Sequence, residues 1–187
     1  MTKTTESEVR ARAEKAAEDD CKKLWEMIEL QCAYDEACFK ANGIEFGYMD
    51  IRVNLDDCLT DEIGELNHEL KPVWCHWGRH AKTVDRKAAL EELADVTHFL
   101  LAKVIANHLE DRFVDCFKHY RMTFSKYQAG SKYFNLSALG VATTPNFMAL
   151  GFLKAMSKAG FDFDDLYKAY KRKNKENYKR LKEQKNG

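Results

Sequence analysis

The stretch from Asp85 to Val104, DRKAALEELADVTHFLLAKV, decides the fold class of this chain. Leu90, Leu93, Val96, Leu100 and Val104 recur at intervals of three and four, which places them in one stripe along a helix. Asp85 stands where an N-cap carboxylate accepts hydrogen bonds from first-turn amides. Glu92 and Asp95 flank the stripe, three residues apart and therefore on one helix face. A second acidic pair of the same spacing, Glu62 and Glu65, lies about thirty residues earlier.

Working outward, the rest of the chain also reads as helix. It is rich in Ala, Leu, Glu and Lys and has only two prolines, Pro72 and Pro145. Residues 1–20 read as an N-terminal helical extension, and residues 21–187 as a single domain. The first helix runs to about Ala41, where Asn42-Gly43 stops it. The second covers Leu55 to Leu70 and ends at Pro72, whose ring nitrogen has no proton to donate. An aromatic and basic connector spans Val73 to Val84. A fourth helix is expected from Arg112 to Tyr127, either separate from the third or continuous with it through a bend. A long connector then runs from Gly130 to Pro145. The last two helices, Phe147–Lys158 and Asp164 to about Lys185, are parted by Gly160. The expectation is an all-α bundle of five to six helices, with an acidic metal site between the second and third.

Composition narrows the function. With 30 basic and 30 acidic side chains the net field is weak, which argues against generic binding to nucleic acid or a membrane surface. The six cysteines are scattered, form no C-x-x-C pair and follow no secretory leader, so reduced thiols in a cytoplasm are expected. The apolar run around Phe99 to Ala102 falls far short of the ~20 residues that span a bilayer, and a soluble protein is expected.

Either acidic pair alone is ordinary on a solvated helix face. Packed side by side, the two pairs would set like charges at about 4 Å, repelling by roughly 4 kcal/mol at an effective dielectric near 20. A cation or protonation relieves that. Oxygen-only ligands suit Mg²⁺ or Mn²⁺, ions that keep waters and often share their site with substrate phosphates. A competing reading takes Glu65-x-x-His68 and Asp95-x-x-His98 as halves of a di-iron site, which also needs carboxylates from two further helices. Glu29, Asp35, Glu36 and Asp115 are the candidates, none in a distinctive context. Cys75, His76 and His80 match no closed zinc pattern. The basic run from Lys168 to Lys185 is a solvated helix, an RNA-binding tail or a phosphate grip.

Three further motifs stand in order along the chain: Val73-Trp74-Cys75-His76-Trp77, Glu92-Leu93-Ala94-Asp95-Val96-Thr97-His98-Phe99 and Lys173-Asn174-x-x-Asn177-x-x-Arg180. Together with Glu62-x-x-Glu65 they resemble the motifs of the dimeric all-α dUTPases, which belong with the MazG-like nucleoside triphosphate pyrophosphatases. A weaker match is Gln31-Cys32-Ala33-Tyr34-Asp35 on the first helix.

The resemblance implies hydrolysis of a deoxynucleoside triphosphate, most simply dUTP, to the monophosphate and pyrophosphate by water attack at the α-phosphorus. It assigns Glu62, Glu65, Glu92 and Asp95 to Mg²⁺ (or Mn²⁺), with Glu62 orienting and deprotonating the water. It assigns Gln31, Asp35, Trp77, His98, Phe99, Lys173, Asn174, Asn177 and Arg180 to substrate binding, Gln31 and Asp35 facing the base. It also implies a homodimer. The chain departs from the pattern in three places. Asp35 stands where the family usually has asparagine, Cys75 and Gly78 replace connector lysines that Arg79, Lys82 or Arg86 would have to stand in for, and Leu181 follows Arg180. Alternative readings are the same fold acting on dCTP or another nucleotide, a di-iron protein, and a non-catalytic helical binding module.

Overall fold

The computed structural model describes residues 6–44, 48–75, 83–123 and 134–184. Over these residues it is all-α: α1 (Glu6–Asn42), α2 (Tyr48–Glu69), α3 (Lys71–Trp74), α4 (Arg86–Ala106), α5 (Glu110–Thr123), α6 (Ser137–Gly140), α7 (Pro145–Ala159) and α8 (Phe163–Gln184). α3 and α6 are single turns, so six long helices make the bundle, in keeping with the expected number.

α4 is the central element, packed against α1, α2, α5, α7 and α8. Asp85 caps it, its carboxylate accepting from the amides of Lys87 at 2.9 Å and Ala88 at 3.1 Å. Leu93, Val96, Leu100 and Val104 of the predicted stripe are fully buried, and so are Ala94 and Leu101 away from it. Burial on more than one face is what a helix surrounded by others requires.

Backbone constraints set the boundaries. Pro72 sits in the first turn of α3, where a missing amide proton is harmless, and α2 has already stopped at Glu69. Pro145 opens α7 in the same way. Between α4 and α5 the chain breaks at Asn107–Leu109, with His108 at φ 53°, so the two helices are separate and α5 starts at Glu110 rather than Arg112. The predicted end of that helix at Tyr127, and residues 130–133 of the long connector, lie outside the described residues. The described part of that connector contains α6. Gly160 closes α7 at φ 78°, a left-handed cap that lets the amide of Phe161 reach Met156 O at 3.2 Å. α1 continues unbroken through residues 6–20.

Phe113, Phe117, Phe152 and Phe163 join α5, α7 and α8 through tilted and edge-on ring contacts. Lys103, 5% exposed, pairs with Asp56 on α2 at 2.7 Å and donates to Gly140 O at 3.0 Å, fastening α6 and α2 to α4. α8 is held on α1 by Glu26, which accepts from Lys171 and Tyr167. No disulfide joins the six cysteines. No helix among the described residues is long and apolar enough to cross a membrane.

Candidate active site

α2 and α4 lie side by side through the buried Leu59, Ile63 and Leu66 of α2 and Leu93 and Leu100 of α4. That packing brings Glu62, Glu65 and Glu92 together, each able to offer a carboxylate oxygen within 4.8 Å of the others. The expected repulsion registers in the acidities of Glu62 and Glu92. Glu62 is pushed up to about 7, first by burial and then by the charges of Asp95, Glu65 and Glu92. Glu92 is likewise pushed up to about 7, by burial and by Glu65 and Asp95. Three hard carboxylate oxygens gathered this closely fit a divalent cation of the Mg²⁺ type.

Asp95 stands apart from this trio. Its Oδ2 pairs with Lys173 Nζ of α8 at 2.5 Å, with both side chains largely buried. Burial pushes the Asp95 carboxyl up against the opposing pull of Lys173. Of the four predicted metal ligands, then, three converge and the fourth is engaged by a lysine predicted to bind substrate.

Beside the cluster opens a cavity of about 330 Å³ between α1, α2, α4 and α8. It is lined by Gln31, Asp35, Glu62, Asp95, His98, Phe99, Lys173, Asn177 and Arg180, all of them predicted site residues. Glu65 and Glu92 instead face a shallower acidic cleft of about 320 Å³ shared with Asp61, His68 and Glu69. Asn174 lies outside the cavity, buried with Nδ2 turned toward Leu30 O of α1 at 3.5 Å. Trp77 and the basic part of the connector lie outside the described residues. The cavity also includes Tyr34, Leu55, Ala102, Leu181 and Gln184, which sequence reasoning missed. Tyr34 had a signal, one turn from Gln31 within the quoted motif, whereas Leu55 and Ala102 read only as helix-face residues.

One wall of the cavity is a buried polar chain. Gln31, 3% exposed, donates from Nε2 to Asp35 Oδ1 at 2.7 Å. Its Oε1 accepts from Tyr170 Oη at 2.9 Å and lies 2.7 Å from His98 Nδ1. Tyr170 Oη also lies 3.0 Å from Met27 O. The His98 ring stacks on Tyr170 with centroids 4.0 Å apart. Burial and the nearby Lys173 charge push His98 down to about 3, so it is neutral. Its Nε2 is the one buried side-chain polar atom among the described residues without a partner. Burial pushes Asp35 up to about 6, although the Gln31 bond pulls the other way.

A family model described as dUTPase matches residues 23–185 of this chain. No curated protein and no solved structure matches it.

Proposed function

The chain belongs to the all-α dUTPase family, whose activity is nucleotide hydrolysis, and from that premise we propose a metal-dependent pyrophosphohydrolase that converts dUTP and water to dUMP and pyrophosphate. The observation that carries this reading is the position of Glu62. It belongs to the carboxylate trio and also lines the cavity whose other side carries Lys173, Asn177 and Arg180.

Glu62, Glu65 and Glu92 would hold Mg²⁺ or Mn²⁺, with Asp95 one turn along from Glu92 as a further carboxylate. When bound, the ion offsets triphosphate charge and acidifies a water. Glu62 orients the attacking water and takes its proton. The water oxygen bonds to the α-phosphorus, the bond from that phosphorus to the bridging oxygen breaks, and pyrophosphate leaves with the electron pair. Lys173, Asn177 and Arg180 recur at intervals of four and three on α8, which suits them to grip the outer phosphates by charge-assisted hydrogen bonds. Gln31, Asp35, His98 and Phe99 form the base end, and the homodimer implied by the resemblance is the proposed assembly.

The di-iron reading loses support because no histidine joins the carboxylate trio among the described residues. His98 faces Gln31, and the exposed His68 sits 3.1 Å from Lys71 Nζ. The test is pyrophosphate release from dUTP, dCTP, dTTP and UTP with Mg²⁺ or with EDTA. Metal-dependent release from dUTP supports the reading, and no release from any nucleotide overturns it.

A further inference from the structure

Asp95 and Lys173 meet at 2.5 Å, with side chains only 17% and 15% exposed, and both line the cavity that Glu62 of the carboxylate trio also lines. Each of the two has a second claimant. A cation at the trio would draw on Asp95, which sits one turn along α4 from Glu92. A triphosphate in the cavity would draw on Lys173, which shares its face of α8 with Asn177 and Arg180.

Neither partner can be taken alone without a penalty, because removing one member of a largely buried ion pair strands the charge of the other. A cation that pulled Asp95 away by itself would leave Lys173 unpaired beside a double positive charge. A triphosphate that pulled Lys173 away by itself would leave Asp95 unpaired beside a further negative charge. When both arrive, the carboxylate turns to the cation and the ammonium to a phosphate, and no charge is stranded. The exchange leaves α8 seated. Arg172 pairs with Glu91 of α4, Lys171 pairs with Glu26 of α1, and Tyr170 and Leu181 stay buried, so only side chains need to move. The flexible four-carbon stem of a lysine suits that swing.

Deepening the hydrolase reading, and resting on it, we propose that the Asp95–Lys173 pair is a latch across the cavity that a divalent cation and a triphosphate open together, so that each tightens the binding of the other and nucleotide without a cation is held weakly. Asp95 is then a positioning residue for Lys173 in the ion-free protein and a cation ligand in the loaded one. The coupling is reciprocal, as linkage between two sites requires, and couplings of this kind are typically about 5–150-fold.

The experiment titrates the full chain with Mg²⁺ alone by calorimetry in wild type, Lys173→Gln, Asp95→Asn and the double variant, with pyrophosphate release from dUTP measured on wild type. Lys173→Gln frees Asp95 for the ion, so it should tighten Mg²⁺ binding about tenfold more when Asp95 is present than in the Asp95→Asn background. Loss of a nearby positive charge by itself would give the same gain in both. The mirror cycle reads binding of α,β-imido-dUTP in EDTA, where Asp95→Asn should help more with Lys173 present than with Gln in its place. Should a variant fail to fold, wild type still reports: the ¹⁵N signal of the Lys173 ammonium should move with Mg²⁺ and the analogue together and not with either alone. Equal gains in both backgrounds, or a Lys173 signal that moves fully with one ligand, would overturn the latch and, with pyrophosphate still released, leave the hydrolase reading standing. No Mg²⁺ binding and no release from dUTP would remove that reading, and the proposal with it.

Discussion

Removing the charge of Glu62 should stabilise the ion-free protein at alkaline pH and make it less responsive to metal. Its carboxyl is raised from 4.5 to about 7, so between those values the native state holds a proton that the unfolded chain has released. Stability therefore falls as pH climbs from the unfolded pKa through the folded one; the penalty is absent below about 4.5 and complete above about 7. At roughly 1.4 kcal/mol per pH unit the ceiling is about 3.5 kcal/mol, and solvent screening of a partly exposed side chain brings it to about 1–2 kcal/mol. For a chain of this size that is a rise in Tm of roughly 2–8 °C. Thermal unfolding of wild type and Glu62→Gln in EDTA at pH 4.5 and pH 8 reads it directly. The variant should gain at pH 8 and not at pH 4.5, and adding Mg²⁺ should raise the wild-type Tm more than the variant's. Equal Tm values at pH 8, or the same gain at both pH values, would refute the electrostatic account of the trio.

Arg180→Ala should raise KM for the triphosphate by about tenfold or more, as loss of a charge-assisted hydrogen bond predicts, while moving Tm little because the residue is exposed. A stopped-assay KM unchanged from wild type would remove Arg180 from phosphate binding. Truncation before Lys168 should instead unfold the protein, since it deletes the buried Tyr170 and Leu181; retained helical circular dichroism and a cooperative melt would contradict that. Gly160→Ala forces a side chain into φ 78° beside Arg86, at a cost of about 1–2 kcal/mol, and calorimetry should show Tm lowered by roughly 2–8 °C.

Short-range constraints were legible in the sequence. The α4 stripe, the Asp85 cap and the Gly160 stop all depend on residues within a few positions of one another, where backbone dihedrals and the helical period leave few choices. The acidic pairs were legible for the same reason, since a spacing of three fixes one face. That α4 is buried on more than one side was not legible, because it depends on which helices surround it. Residues brought together from far along the chain were decided by tertiary structure alone. Gln31 meets His98 across 67 positions and Tyr170 across 139. Lys173 engages Asp95, and Asn174, one position further along α8, turns to α1 instead of into the cavity. Periodicity says which residues share a face of a helix, but the neighbour that face meets is set by how the helices pack. In this chain that packing decides which carboxylates gather, which one a lysine holds, and which side chains Gln31 meets.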